Sequence, residues 1–107
     1  YYRDDFSRIG LHPSVEPSEL HFDINNKHVI LFDDILYTGR TVRAAMNEIF
    51  DYGRPKSIVL VVLLDRGGRE LPIDADLCGI NIELSSRYHV KIEGESSLKL
   101  KVFEREI

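Results

Sequence analysis

Hydrophobic residues in the middle of the chain form two unbroken runs. The first, HVILF, covers residues 28–32, and the second, SIVLVVLLD, covers residues 57–65. Continuous aliphatic and β-branched runs of this length are typical of strands buried on both faces of a parallel sheet. We therefore predict two such strands.

The stretch between the two runs has the period of an amphipathic helix. After Thr41, apolar side chains recur at intervals of three and four positions, at Val42, Ala45, Met46, Ile49 and Phe50. Gly53, with Pro55 just beyond it, is a strong signal for the end of the helix. Strand, helix and strand predict a βαβ unit over residues 28–65, with a parallel sheet and a right-handed crossover.

The residues before this unit have weaker patterns. Residues 1–19 contain two prolines and a glycine and have no strand or helix period, so they predict a loop that is long for so small a domain. Loops of this length are often lids or binding loops. Residues 20–24 (LHFDI) alternate between apolar and polar and predict a short, half-exposed strand, followed by a turn at Asn25 and Asn26.

The residues after the unit alternate in polarity. Residues 77–84 predict a shorter strand that is interrupted by Gly79. Residues 88–92 and 98–104 alternate cleanly on either side of a turn at 94–97, which predicts a C-terminal β-hairpin over 88–104. The whole chain, 1–107, is predicted to be a single α/β domain.

Composition narrows the class of protein. The 107 residues are 43% hydrophobic and 30% charged, which is ordinary for a globular domain. The net charge of -4 argues against a surface built to neutralise many nucleic-acid phosphates. The single cysteine cannot form an internal disulfide, which fits a reducing, cytoplasmic compartment. No apolar run approaches the roughly 18–20 residues that cross a bilayer, so we expect no membrane span.

Candidate chemistry lies between the first buried run and the helix. Ligands of open parallel sheets bind beyond the carboxyl ends of the strands, and residues 33–41 (DDILYTGRT) are predicted there. The segment TGRT offers hydroxyls, a glycine and backbone N–H groups at a helix start, which suit a phosphate. Asp33 and Asp34 would repel a phosphate but accept bonds from vicinal hydroxyls or help to hold hydrated Mg²⁺. Carboxylates beside a phosphate cradle predict a ribose 5-phosphate site.

Structural capping and two phosphate-binding motifs are the alternatives for this segment. Aspartate at strand ends and threonine at helix starts are common as caps and turn formers, and capping stays open for each motif taken alone. A P-loop needs G-x-x-x-x-G-K-[ST], and a dinucleotide-binding fold needs G-x-G-x-x-G. This segment has one glycine and no lysine, so neither motif is present.

The stretch VILFDDILYTGRT resembles the phosphoribosyl diphosphate (PRPP) motif of type I phosphoribosyltransferases. The longer run FDDILYTGRTVRAAMNEIFDYGRPKSIVLVVLLDRGGRELPIDAD is similar to the PyrR group, which are uracil phosphoribosyltransferases and in many cases regulators of the pyrimidine operon. YRDDFSRIGLHP resembles the mobile loop of that group. The resemblance covers residues 2–82 and implies a parallel sheet with flanking helices, of which this chain would carry a part. The last 25 residues match the group only in being strand-like, and the C-terminal hairpin is predicted from their alternation alone.

The resemblance also implies the reaction and its residues. Uracil would attack C1′ of PRPP with Mg²⁺ and give UMP and pyrophosphate, a step of pyrimidine salvage. PRPP would bind at Asp33, Asp34, Leu36, Tyr37, Thr38, Gly39, Arg40 and Thr41, and Mg²⁺ at the two aspartates, directly or through water. The two aspartates are also the candidate catalytic residues. The base-side rim would be Asp65, Arg66 and Gly67, and the mobile loop would carry Arg3, Asp4, Asp5 and Arg8.

Two departures from the family pattern limit these expectations. Family members carry an N-terminal part with a pyrophosphate-binding loop that is not in this sequence, so we expect the chain to be N-terminally incomplete. RNA-binding members read R-G-H-R-E-L-P-I-R where this chain has Gly68 for the histidine and Asp74 for the last arginine. Losing cationic contacts weakens a phosphate footprint, so RNA binding is disfavoured.

Three functions therefore follow from the sequence, in order. The first is a uracil phosphoribosyltransferase, which family likeness suggests is a dimer or higher homo-oligomer. The second is an RNA-binding attenuator of pyrimidine genes that senses UMP or PRPP. The third is a type I phosphoribosyltransferase that uses a purine base.

Overall fold

The structure is a computed structural model that describes residues 6–10, 23–94 and 97–104. Its elements are, in chain order, β1 (Phe6–Gly10), β2 (His28–Leu36), α1 (Arg40–Tyr52), β3 (Ser57–Asp65), β4 (Leu77–Asn81), β5 (Tyr88–Glu93) and β6 (Lys99–Glu104). Four strands form a parallel sheet in the order β1-β2-β3-β4. Strands β5 and β6 form a separate antiparallel hairpin. The α/β class, the βαβ unit and the hairpin are thereby confirmed.

Helix α1 agrees closely with the sequence pattern. Val42 and Ile49 are buried, and Ala45 and Met46 pack against the same core, whereas Phe50, predicted on this face, is 45% exposed. Phe50 falls at the edge of the apolar stripe, since a position eight residues along has rotated past the buried direction. The helix ends at Gly53, whose backbone amide donates to the carbonyl of Ile49 at 3.1 Å.

The core lies on one face of the sheet, which corrects the prediction of two strands buried on both faces. Leu31 of β2 and Val62 of β3 are buried against α1, whereas Phe32 and Leu63, one position along, are 39% and 44% exposed. Right-handed crossovers bring successive connections to the same face of a sheet. Within the described residues, α1 and the segment 73–75 cover only that face of the sheet. A continuous apolar run in the sequence was therefore not sufficient evidence that a strand is buried on both faces.

The N-terminal predictions need two corrections. Phe6–Gly10, predicted as part of a loop, is strand β1 and pairs in parallel with His28–Phe32. A short edge strand is held by backbone bonds to its neighbour, so it needs no side-chain alternation of its own. Of the strand predicted over 20–24, only Asp23 and Ile24 are described, and they are not in a strand. Ile24 is nevertheless fully buried in the core.

The turn predicted at Asn25 and Asn26 is present, and Asn26 has a positive φ of 61°. Strand β4 is shorter than predicted and ends at Asn81, with Gly79 inside it. Both hairpin strands lie within one residue of their predicted bounds. In the described part of the chain no helix is long and apolar enough to cross a membrane.

Candidate active site

Strand β2 runs four residues beyond the apolar run, which changes the position of the two aspartates. Ile35 and Leu36 continue the parallel ladder with Leu64 and Asp65, and Leu36 is almost completely buried. Asp33 and Asp34 therefore lie inside the strand and not in the loop after it. The loop itself is only three residues long, from Tyr37 to Gly39.

The two aspartates are in contact but have different surroundings. Asp33 pairs in register with the buried Val62, while Asp34 is exposed. The backbone amide of Asp34 donates to Oδ1 of Asp33 at 2.8 Å. Burial raises the pKa of Asp33 to about 7, and the neighbouring side chain and charge of Asp34 act in the same direction.

A divalent cation fits this pair chemically. Two adjacent carboxylates supply the hard oxygen ligands that Mg²⁺ prefers, and a cation would relieve the repulsion that helps to raise the pKa of Asp33. Among the described residues no group of three or more acidic, histidine or cysteine side chains could hold a metal. Mg²⁺ characteristically uses one or two carboxylates and takes its other ligands from water and substrate phosphates, so the pair is sufficient.

The loop after β2 leads directly into an uncapped helix start. Gly39 is the N-cap residue of α1, with φ at 94°, and as a glycine it has no side chain with which to cap the helix. The first intrahelical bond runs from the amide of Arg43 to the carbonyl of Gly39, so the amides of Thr41 and Val42 have no partner within the helix. The positive end of the helix dipole and these amides make a site for an anion.

The side chains predicted to bind phosphate are arranged unequally around this helix start. Thr38 lies in the loop, and its Oγ1 accepts a bond from the amide of Arg40 at 3.2 Å. The guanidinium of Arg40 forms an ion pair with Glu70, and both side chains are largely exposed. The groups best placed to bind a phosphate are therefore the backbone N–H groups and Thr38. The side chain of Arg40 is directed toward Glu70 instead.

The rim residues at the end of β3 have internal partners. Asp65 is 7% exposed, and both of its carboxylate oxygens accept bonds from Arg69, at 2.9 and 2.5 Å. These bonds lower the pKa of Asp65, so its carboxylate is ionised. The amide of Gly67 also donates to Asp65, at 3.0 Å.

Arg66 is almost completely buried, with 2% exposed. Its Nη2 donates to the carbonyls of Ser85 and Tyr88, at 3.0 and 2.8 Å, and its guanidinium lies 4.1 Å above the ring of Tyr37. Arg66 thus connects the base of the hairpin to the loop after β2.

An open cleft of about 410 Å³ lies between the segment after β3 and the end of β4. Two of the three predicted rim residues, Asp65 and Gly67, line it together with Asp74, Asn81 and Glu83. Asp65 thus borders the cleft as a buried residue, Gly67 is partly exposed there, and Arg66 points into the interior. Of the predicted mobile-loop residues, Arg8 lies in strand β1, and Arg3, Asp4 and Asp5 lie outside the described residues.

Sequence reasoning missed Arg69. Its Nη1 donates to the carbonyl of Tyr37 at 3.0 Å, a contact between residues 32 positions apart. The backbone amides of Glu70 and Leu71 also reach back, to the carbonyl of Thr38, at 2.9 and 3.1 Å. No local motif marks these contacts, since each partner is a main-chain carbonyl.

Comparisons with known proteins agree with this geometry. The profile of the phosphoribosyl transferase domain family matches residues 2–93. The chain is 57% identical to the Bifunctional protein PyrR of Nitrosococcus oceani and 52% identical to that of Pseudomonas fluorescens, covering 95% of this chain and 58% and 61% of those proteins. The chain therefore spans about three fifths of the length of these relatives.

Solved structures of similar fold carry the same kind of domain. The hypoxanthine phosphoribosyltransferase of Trypanosoma cruzi superposes with a TM-score of 0.54 at 35% identity, covering 61% of this chain and 37% of that one. A hypoxanthine-guanine phosphoribosyltransferase of Bacillus anthracis gives 0.52 at 29% identity, covering 57% and 37%. With the profile match over most of its length, the chain belongs to the phosphoribosyl transferase domain family, and its resemblance to the PyrR group is confirmed.

Proposed function

We propose that the protein is a uracil phosphoribosyltransferase, which transfers the phosphoribosyl group of PRPP to uracil and forms UMP and pyrophosphate. The observation that carries the proposal is the placement of Asp33 and Asp34 on the strand that leads, through a three-residue loop, into the uncapped start of α1. Carboxylates for ribose hydroxyls thereby lie beside amides for a phosphate.

Each part of this site has a role in the proposed reaction. The carboxylates of Asp33 and Asp34 accept bonds from the ribose hydroxyls and hold the sugar in place. Thr38, the backbone of Gly39 and the free amides of Thr41 and Val42 bind the 5′-phosphate. Leu36, which the resemblance included, is almost completely buried at the end of β2 and is left out of the phosphate site. Bound Mg²⁺ would neutralise the charge of the pyrophosphate leaving group. Catalysis then rests on positioning and on charge stabilisation as the ribose becomes cationic.

The base is assigned on the likeness of the chain to the PyrR group. The cleft beside Asp65 and Gly67 supports a base site on the same rim as the sugar site, because both lie at the carboxyl ends of neighbouring strands. A lid that excludes water would have to lie outside strand β1, which contains Arg8, so among the predicted loop arginines Arg3 is the one left to reach the leaving group from such a lid. The whole protein is proposed to act as a homo-oligomer.

A panel of bases tests this proposal. The full-length protein is incubated with PRPP and Mg²⁺ and with uracil, hypoxanthine or orotate in turn, and product formation is followed by chromatography. We expect UMP from uracil at a rate well above the other two bases. Equal or faster turnover of hypoxanthine, the base named for the similar solved structures, would replace uracil with a purine.

Regulation through RNA is the second candidate function, and the name "Bifunctional protein PyrR" of the relatives favours it. Three arginines near the site have internal partners: Arg40 pairs with Glu70, Arg66 is buried, and Arg69 binds Asp65. With a net charge of -4, these contacts reduce the cationic surface available to phosphates there, although Arg43 is exposed beside Arg40. Binding of a pyrimidine-leader RNA, lost steeply between about 50 and 200 mM salt, would establish this function; absence of binding at low salt would exclude it.

A further inference from the structure

Arg69 uses all its hydrogen-bonding capacity within the protein. A guanidinium has five N–H donors. In Arg69, Nε donates to the carbonyl of Ile73 at 2.6 Å, Nη1 donates to Asp65 and to the carbonyl of Tyr37, and Nη2 donates to Asp65 and, at 3.3 Å, to Asp74. Five donors meeting five acceptors leave none for a substrate. Arg69 is therefore not a candidate ligand, although it lines the cleft.

The acceptors of Arg69 belong to different parts of the site. Asp65 ends β3, Ile73 lies in the connection to β4, and Tyr37 opens the loop that leads into α1. The side chain of Arg69 is only 22% exposed, so these charge-assisted bonds are partly shielded from water. Arg69 thus ties the end of β3 to the loop that presents the helix start.

Two further contacts act on the next residue of the same loop. The amides of Glu70 and Leu71 both donate to the carbonyl of Thr38. The carbonyls of two consecutive loop residues are therefore held by three consecutive residues, Arg69, Glu70 and Leu71. The loop has only three residues, so fixing two of its peptide groups fixes the direction of the N–H groups that follow.

We infer that Arg69 is a positioning residue for phosphate binding: through the carbonyl of Tyr37 it holds the loop Tyr37–Gly39 so that the first amides of α1 point at one anion site. This inference rests on the proposed function, which places the 5′-phosphate of PRPP at those amides. Lysine cannot replace the arginine, because it is a point charge with three donors and lacks the planar fork that spans Asp65 and the Tyr37 carbonyl together.

The first experiment needs no ligand. Amide hydrogen exchange of the full-length protein is measured by NMR for the wild type, Arg69→Met, Arg69→Lys and the control Arg87→Met, which removes an exposed arginine that pairs with Glu104 in the hairpin. We expect exchange to become about tenfold faster in both Arg69 variants, and to stay unchanged in the control, at the amides bonded to the loop: Glu70 and Leu71, which donate to the carbonyl of Thr38, and Arg43, which donates to that of Gly39. Unchanged exchange in Arg69→Met would overturn the inference.

The second experiment measures affinity for ribose 5-phosphate by calorimetry, at a temperature where circular dichroism shows every variant to be folded. We expect both Arg69 variants to bind about tenfold more weakly than the wild type and the control. In turnover, KM for PRPP should rise while kcat is retained, since loss of folded protein would instead lower kcat at constant KM. Equal affinity of wild type and variants would overturn the inference alone.

The two experiments separate this inference from the proposed function. If the wild type binds neither ribose 5-phosphate nor PRPP with Mg²⁺, the proposed function fails, and the positioning role fails with it, even where hydrogen exchange shows that Arg69 braces the loop. If the wild type binds and only the Arg69 variants lose affinity, both stand.

Discussion

Oδ1 of Asp33 accepts a hydrogen bond from the backbone amide of Asp34 at 2.8 Å, so two adjacent acidic residues on one strand share a local structure while facing different surroundings. Asp33 is half-buried and Asp34 is exposed. Burial raises the pKa of Asp33 to about 7, so the carboxyl changes its charge near neutral pH. The charge on this half of the proposed ribose site is therefore set by pH and by any cation bound there.

The raised pKa of Asp33 predicts a pH-dependent stability. The folded protein holds a proton on Asp33 more tightly than the unfolded chain, whose pKa is near 3.8, so the free energy of unfolding falls as pH rises from about 4 to about 7. Asp33→Asn removes this loss. We expect the variant to gain about 1 to 2 kcal/mol relative to the wild type between about pH 4 and pH 8, reduced from the full shift because the carboxyl is partly in water.

Urea denaturation at several pH values measures this difference. Asp34→Asn is the matched control, because it removes a neighbouring exposed carboxylate and should show a much smaller trend. A stability difference between Asp33→Asn and the wild type that is the same at both ends of this pH range would show that Asp33 titrates normally.

Gly39 is required for its backbone conformation. Its φ of 94° lies where side chains are disfavoured, whereas a Cβ there would meet Ile73 and Leu71 at an ordinary 3.4 Å. We expect Gly39→Ala to lower the free energy of unfolding by about 1 to 2 kcal/mol through backbone strain, and Gly39→Asn to cost less because asparagine tolerates positive φ. Chemical denaturation of both variants tests this; an alanine variant as stable as the wild type would contradict it.

The resemblance led us to expect histidine at position 68, and the structure predicts that Gly68 cannot simply be replaced by that residue. Gly68 has φ at 75°, and a Cβ there would overlap the ring of Tyr37, which lies against the guanidinium of Arg66. We expect Gly68→His to displace that ring and to lower the free energy of unfolding by about 1 to 3 kcal/mol.

A double-mutant cycle separates the overlap from the backbone strain at Gly68. Combined with Tyr37→Ala, which removes the ring, Gly68→His should cost less than it does alone, whereas with Tyr37→Phe, which keeps the ring, its cost should be unchanged. Strictly additive effects with Tyr37→Ala would mean that the ring is not the obstacle.

The sequence predicted the elements whose side chains determine them. The buried run SIVLVVLLD matched β3 from Ser57 to Asp65, and the period of the helix placed its start within one residue of Arg40. Strand β1 was missed because FSRIG has no alternation and is defined by its backbone pairing with β2. The prediction that β2 and β3 are buried on both faces was wrong. Apolar side chains allow a strand to be buried, but whether a face is buried depends on which elements pack against it.

The sequence predicted which residues form the site, but not the long-range hydrogen bonds that hold them in position. Asp33, Asp34 and the TGRT segment share a short stretch of chain, so local pattern was enough to find them. Arg69 and Arg66 act across distances of 19 to 32 residues on main-chain carbonyls, which leave no trace in the sequence. Their partners could be found only from the folded chain.

The central claim, a ribose-phosphate site that begins at Asp33 and Asp34, is tested most directly by calorimetric titration of PRPP with Mg²⁺ into the full-length wild type and the double variant Asp33→Asn, Asp34→Asn. Circular dichroism and thermal denaturation serve to show that the fold is intact. We predict binding by the wild type and roughly a hundredfold weaker binding by the double variant, because two charged contacts with the sugar and its cation are lost. Unchanged affinity in a folded double variant would contradict the account.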